Sequence, residues 1–312
     1  MDSKANKCRI CGNDIDNREY TVRENMFHLY DEFLYFKCAN CGCLQIKEYP
    51  TNISKYYPSD YYSFSRKKKT LHQIIVDFLM KCSLSYRINR LNLIGLFAIR
   101  YNDYYKYQLP CFDKGKCDYS SKILDIGCGA GTLLMQLRGF GFSDLTGIDP
   151  FISTDIIYSN GVRIWKKDIY GCIGQQYDCI MLHHSFEHMT EPRDVFAKLK
   201  NMLSDKGRIL IRIPLCDSYA WRKYNTDWWQ LDAPRHFYLH TVKSISLLSA
   251  EFGLQIENIY YDSHEYQFIG SQIYRGENKV ISCKDMKYYK KMAALLNVIS
   301  DGDQACFVLK NK

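Results

Sequence analysis

Lys122-Ile-Leu-Asp-Ile-Gly-Cys-Gly-Ala-Gly131 is the stretch that decides the fold. Residues 123–126 are a short, mostly apolar run of strand type. Three glycines at alternate positions then turn the chain, and residues 132–139 read as a helix. A strand feeding a glycine turn feeding a helix is where a nucleotide-like ligand meets the carboxyl ends of parallel strands. The spacing is Gly-x-Gly-x-Gly. A dinucleotide fingerprint needs its third glycine one place later, where Thr132 stands, and no GxxxxGK[ST] occurs.

Outward from this turn, strand-like runs recur at 144–148, 162–165, 177–182 and 207–213, with helical patterns at 193–203 and 242–252. Runs at 254–260 and 304–309 close the chain. Strands alternating with helices predict an α/β fold with a parallel sheet covered on both faces. Asp149 ends the second strand, where a carboxylate can accept from two ribose hydroxyls. Asp168 and Ile169 follow the third, where an acid can take an adenine amino group. Strand-end turn residues would be the plain alternative for both acids.

The LDIGCGAG motif and Gly147-Ile148-Asp149 resemble class I S-adenosylmethionine-dependent methyltransferases over residues 121–312. The likeness implies a Rossmann-like, seven-stranded sheet whose final strand runs antiparallel. It implies that Gly127, Gly129 and Gly131 shape the methionine end of the site and that Asp125 faces the methionine ammonium. Asp149 would hold the ribose and Asp168 the adenine. His183, first of the segment after the fourth strand, is expected on the cofactor side.

Residues 1–49 carry Cys8-Arg-Ile-Cys11-Gly12 and Cys38-Ala-Asn-Cys41-Gly42. Two CxxC turns can supply four thiolates to tetrahedral Zn²⁺, and a closed four-cysteine site is structural. Cys8, Cys11, Cys38 and Cys41 are therefore the expected metal ligands of a small zinc ribbon. Residues 50–120 read as a Tyr-rich connector and a helical segment. Leu71, Ile74, Ile75, Phe78, Leu79 and Cys82 form its expected apolar face, and a second helix is expected from about residue 84 to 105. The ribbon, connector and methyltransferase together resemble bacterial enzymes that modify sugars in surface-glycan or antibiotic-sugar biosynthesis. That likeness implies a sugar or nucleotide-sugar acceptor.

The segments after the fourth and fifth strands, His183-His-Ser-Phe-Glu-His188 and Trp228-Trp-Gln-Leu-Asp-Ala-Pro-Arg-His-Phe237, should rim the cleft. A hydroxyl acceptor must lose a proton, and His is the natural base near neutrality. His188 and His236 are the candidates, with His236 favoured as base. Bracing of the neighbouring helix or loop is the plainer role for each. Related sugar C-methyltransferases carry Tyr-x-Glu-His where this chain has Ala233-Pro-Arg-His236. Only the His matches, so methylation at oxygen is favoured, with carbon and nitrogen left as alternatives.

Composition sets the limits. The chain has 312 residues, of which 46% are hydrophobic and 24% charged, as in an ordinary globular protein. A net charge of +8 is spread out, with its densest run at Arg66-Lys-Lys-Lys69. Nucleic-acid binding, such as an RNA methyltransferase gripping with ribbon and linker, is thus permitted without being indicated. The apolar stretch at 71–99 is broken by Asp77, Lys81, Arg87 and Arg90, which argues against a membrane span. With no apolar leader visible and 14 cysteines, the expected compartment is a reducing cytoplasm.

Overall fold

The computed structural model describes residues 6–57, 71–101, 108–172, 174–277 and 280–312. Strands β1 (Arg18–Arg23), β2 (Glu32–Lys37) and β3 (Leu44–Ile46) form an antiparallel sheet beside the cysteine turns. The large sheet is built from β4 (Lys122–Ile126), β5 (Asp144–Ile148), β6 (Ile156–Ile157), β7 (Arg163–Trp165), β8 (Tyr177–His183) and β9 (Leu203–Pro214). A two-residue strand, β10 (Tyr238–Leu239), then leaves it. The chain finishes with β11 (Leu254–Tyr261) and β12 (Gln304–Asn311).

The large sheet has the order β11-β12-β9-β8-β4-β5-β7-β6. The pairs β4–β5, β4–β8, β5–β7 and β8–β9 are parallel. As expected, the last strand β12 runs antiparallel, wedged between β9 and β11. The expected seven strands become eight among the described residues, because β6 pairs antiparallel with β7 at the edge. The central strands are buried on both faces, so they read as near-continuous apolar runs. Ile123, Cys179, Met181 and Leu210 face one core, and Leu124, Ile180, Leu182 and Ile211 face the other. That is the period-2 alternation of a strand. β4 lies between β5 and β8, so successive connections leave it in opposite directions. The sheet opens a crevice there, at its carboxyl ends.

Three helical expectations need correction. The segment 71–108 breaks at 90–92, giving helices Leu71–Asn89 and Leu93–Tyr101, with Arg90 at φ +60° between them. Of the expected apolar face, Leu71, Ile74, Ile75, Phe78 and Leu79 are exposed. Cys82, the last residue of that face, is buried as expected, and with Leu84 and Ile88 it pins the second half of the helix. Helices Tyr266–Tyr274 and Cys283–Val298, between β11 and β12, are not among the expected elements. No described helix is long and apolar enough to cross a membrane. The basic run 66–69, residues 58–65 of the Tyr-rich connector and the expected end of the second helix at 102–105 lie outside the described residues.

The N-terminal unit is built into the rest of the molecule. β3 pairs antiparallel with β10, so β1, β2, β3 and β10 share one sheet. Thr241 Oγ1 donates to Cys41 O at 2.6 Å, and Tyr35 Oη donates to His236 O at 2.9 Å. Arg235, fully buried, is held by Glu24 at 3.1 Å, by Tyr56 O at 3.2 Å and by Asp232.

Candidate functional site

A cleft of about 420 Å³ opens in that crevice. At one end it is lined by Ile126 and Gly127 after β4, by Ile148 and Asp149 at the end of β5, and by Asp168 and Ile169 beyond β7. Gly127 has φ +75°, and a Cβ there would lie 2.4 Å from Ser185 Cβ, so only glycine fits. Asp149 is buried and fixed by two backbone donors, Gly129 N at 2.8 Å and Phe151 N at 2.8 Å. One N–H on each oxygen leaves further lone pairs for hydroxyls. Asp168 accepts from Gly171 N at 3.1 Å, which holds its short 3-10 turn in place.

Other expected cofactor residues stand behind this lining. Gly129 supplies the amide that holds Asp149. Gly131 has φ +70°, and a Cβ would meet Ile164 Cδ1 at 2.5 Å, so it sets how closely the helix Thr132–Phe140 packs on the sheet. Asp125 is buried, and burial, then the neighbouring Asp149, pushes its carboxyl up to about 7.

His183 is the clearest departure. It ends β8, is absent from the cleft lining, and its Nε2 is buried without a hydrogen-bond partner among the described residues. Burial, then Arg212 and His184, holds its pKa down at about 3. The chain turns at His184, a non-glycine residue at φ +52°, and this brings His184 and Ser185 to the cleft instead. Such a backbone is uncommon and clusters at functional sites.

The far end of the cleft holds His188, Tyr57, Phe151 and Phe237. Tyr57 stacks on Phe151 with centroids 5.5 Å apart, and its hydroxyl is 3.2 Å from His188 Nδ1. His188 Nδ1 is also 2.8 Å from Arg235 O. Burial, then His236, holds its pKa below the ordinary histidine value. His236 does not line the cleft. It packs edge-on behind His188, centroids 4.7 Å apart, with Nδ1 2.8 Å from Gln230 O. Of the two candidate bases, His188 lines the cleft and His236 stands behind it.

Sequence reasoning missed Glu187. It is fully buried between these rings, 3.4 Å from His184 Nδ1 and 3.9 Å from His236 Nε2. Burial would raise its carboxyl, but His184, His188 and His236 outweigh that and bring it down to about 2. The Glu-His dipeptide in a turn leaving a strand end was the available signal. Tyr49, Pro50, Ile53 and Tyr57 were missed as well: the N-terminal part of the chain walls the same cleft.

The four cysteines come together. Cys8 and Cys41 sulfurs are 3.6 Å apart and Cys11 and Cys38 sulfurs 3.5 Å apart, and all four lie within 4.8 Å. Ile10 N and Cys41 N each donate to a cysteine sulfur at 3.4 Å, and Gln45 Nε2 donates to Cys8 at 2.9 Å. Gly12 and Gly42 take φ of +76° and +75° after each pair. Donors aimed at sulfur are what thiolates on a metal require, so the donor set fits zinc.

A family described as a methyltransferase domain matches residues 100–259, just over half of the chain. The chain is 22% identical over 161 residues to tRNA U34 carboxymethyltransferase of Dichelobacter nodosus, covering 49% of this chain and 51% of that protein. It is 29% identical over 113 residues to ubiquinone biosynthesis O-methyltransferase of Glaesserella parasuis, covering 32% and 48%. The chain spans about half the length of the curated relatives it matches. Among solved structures it is similar to the O-methyltransferase of a trans-AT PKS multienzyme from Brevibacillus brevis, in complex with S-adenosyl-L-homocysteine. That likeness has 15% identity and a TM-score of 0.40, and covers 86% of this chain and 81% of the other.

Proposed function

The chain belongs to the methyltransferase-domain family, and from that premise we propose that it transfers a methyl group from S-adenosylmethionine to a hydroxyl of a small sugar or nucleotide-sugar acceptor. S-adenosylmethionine, when bound, supplies an electrophilic methyl on a sulfonium sulfur. The observation that carries the reading is the continuity of one cleft from Gly127, Asp149, Asp168 and Ile169 to His188. Asp149 accepts from the ribose hydroxyls, Asp168 and Ile169 take the adenine, and Asp125 faces the ammonium from behind Gly127. The acceptor hydroxyl lies against His188, under Tyr57 and Phe237. As the acceptor oxygen forms its bond to the methyl carbon, the carbon–sulfur bond breaks, sulfur keeps the electron pair, and the hydroxyl proton leaves at the His188 corner. Most of the rate gain in such an in-line displacement comes from holding the two reactants together. Zn²⁺ on Cys8, Cys11, Cys38 and Cys41 is structural.

Calorimetry with S-adenosylhomocysteine tests the cofactor half, and absence of binding would sink the reading. Mass spectrometry of nucleotide-sugars and glycans from cells with and without the gene tests the acceptor. The expected difference is one methyl unit. The likeness to a tRNA-modifying protein supports a second reading, with RNA as acceptor. RNA binding that weakens steeply with salt in a gel shift would favour it.

A further inference from the structure

At the acceptor end Glu187 and His236 meet without a hydrogen bond between them, and His188 packs edge-on against His236. Glu187 is fully buried, and neither carboxylate oxygen finds a hydrogen-bond partner among the described residues. His188 and His236 each place Nδ1 2.8 Å from a backbone carbonyl, Arg235 O and Gln230 O respectively. A carbonyl only accepts, so Nδ1 carries the proton on both rings and Nε2 of each neutral imidazole is a lone pair. His236 Nε2 faces Glu187 Oε1 at 3.9 Å, beyond hydrogen-bond reach. One ring nitrogen of each histidine and a Glu187 oxygen lie within 4.8 Å of one another. A donor does stand nearby: Arg212 Nη1 is 2.6 Å from His184 Nε2, which puts the His184 proton on Nδ1. His184 Nδ1 is 3.4 Å from Glu187 Oε1, a long contact outside hydrogen-bond geometry that leaves Oε2 with no donor among the described residues.

A buried carboxylate left without donors is strongly destabilising unless a positive charge enters. Two imidazoles and a carboxylate suit a first-row divalent transition ion. The two carbonyl bonds to Nδ1 are the outer contacts that fix the tautomer of histidine ligands. We propose that Glu187, His188 and His236 hold a divalent transition-metal ion at the acceptor end of the cleft, separate from the four-cysteine site, with an open coordination position facing the cleft. The position faces the cleft because His188 lines it. This deepens the methyl-transfer reading, and the ion's role in the reaction rests on that reading. An ion held there would act as a Lewis acid on the acceptor hydroxyl and ease loss of its proton to water. His188 and His236 are then ligands rather than bases.

The test is a Co²⁺ titration of the full chain with zinc already on its cysteines, followed by calorimetry between pH 6 and 8.5. Zinc release and S-adenosylhomocysteine affinity are measured on the same samples. The expected result is one equivalent of Co²⁺ bound without zinc release. Glu187→Gln and His236→Ala should each weaken it at least about tenfold, a change of about 1.4 kcal/mol, with cofactor affinity kept. Should either variant lose cofactor binding through misfolding, His188→Ala, on the cleft wall, serves in its place. No uptake of Co²⁺ at any pH, uptake only with zinc release, or unaltered uptake by the correctly folded variants would overturn the proposal. A proton shared between His236 and Glu187 would then fill the gap. Co²⁺ uptake without cofactor binding would sink the methyl-transfer reading and leave the metal site standing.

Discussion

The two ends of the cleft are built by different means. At the cofactor end, each side chain is fixed by neighbours close in sequence or on the next strand: Asp149 by the amides of Gly129 and Phe151, Asp168 by Gly171. At the acceptor end, His188 is placed by Arg235 and Tyr57, and Arg235 by Glu24 and Tyr56, contacts between residues 47 to 211 apart in sequence. One end is a local motif that tolerates distant damage. The other is a tertiary construction whose geometry depends on the N-terminal unit.

The largest expected effect tests this contrast directly. Cys41→Ser should remove zinc and loosen the strand pairing that carries residues 237–241. A misplacement of about 1 Å is enough to cost on the order of 10²-fold in rate. Methyl transfer should fall by at least that factor while S-adenosylhomocysteine affinity changes far less. Equal losses in both, measured side by side, would erase the distinction between the two ends. Next comes Arg235→Ala, which strands Glu24 and Asp232 in the interior. Breaking a buried ion pair costs about 3–5 kcal/mol, read as a lowered denaturant midpoint, and the surviving folded protein should still bind cofactor.

Asp149→Ala should do the reverse. It removes a charged acceptor worth about 1.5–3 kcal/mol, roughly tenfold to a hundredfold in cofactor affinity. At saturating cofactor the rate should stay near that of the parent. A collapse of rate at saturation would mean that Asp149 also organises the acceptor end.

The gentlest effect is on pH. Burial, then Asp149, raises the Asp125 carboxyl to about 7. Between about pH 4 and 7 the folded protein therefore keeps a proton that the unfolded chain has lost, so this group makes stability fall as pH rises through that window. An ammonium beside Asp125 favours the charged form. Cofactor affinity should then be flat above pH 7 and fall by up to about tenfold per unit below it. Asp125→Asn should flatten that profile, and an unchanged slope in calorimetry would remove Asp125 from the ammonium contact.

The same contrast explains how much the residues alone reveal. The glycine turn is legible because strand, turn and helix lie together within 122–140 and each residue answers to near neighbours. The CxxC turns are legible for the same reason. His183 does not reach the cleft lining, whereas His184, which does, sits at a left-handed turn that nothing in its residue type announces. His236 is favoured in the sequence by its Trp- and Pro-rich loop, but its place behind His188 is set by contacts such as that of its ring with Gln230 O, which residue type does not announce. The exposed row Leu71, Ile74, Ile75, Phe78 and Leu79 has a regular apolar period, but period says only that a face exists, not which way it turns. The helix Cys283–Val298 escapes notice because lysines and tyrosines are prominent in it and its apolar stripe is thin.

The bond from Tyr35 to His236 joins residues 201 apart, and it imposes an order of events on synthesis. Chains emerge at about 5–20 residues per second, so β3 and its cysteine turns wait roughly 10–40 s for the strand that completes their sheet. Through that interval the ribbon carries an open edge, the kind that recruits wrong partners. The acceptor end is thus the last part of the cleft to be assembled, after the cofactor end already has every residue it needs.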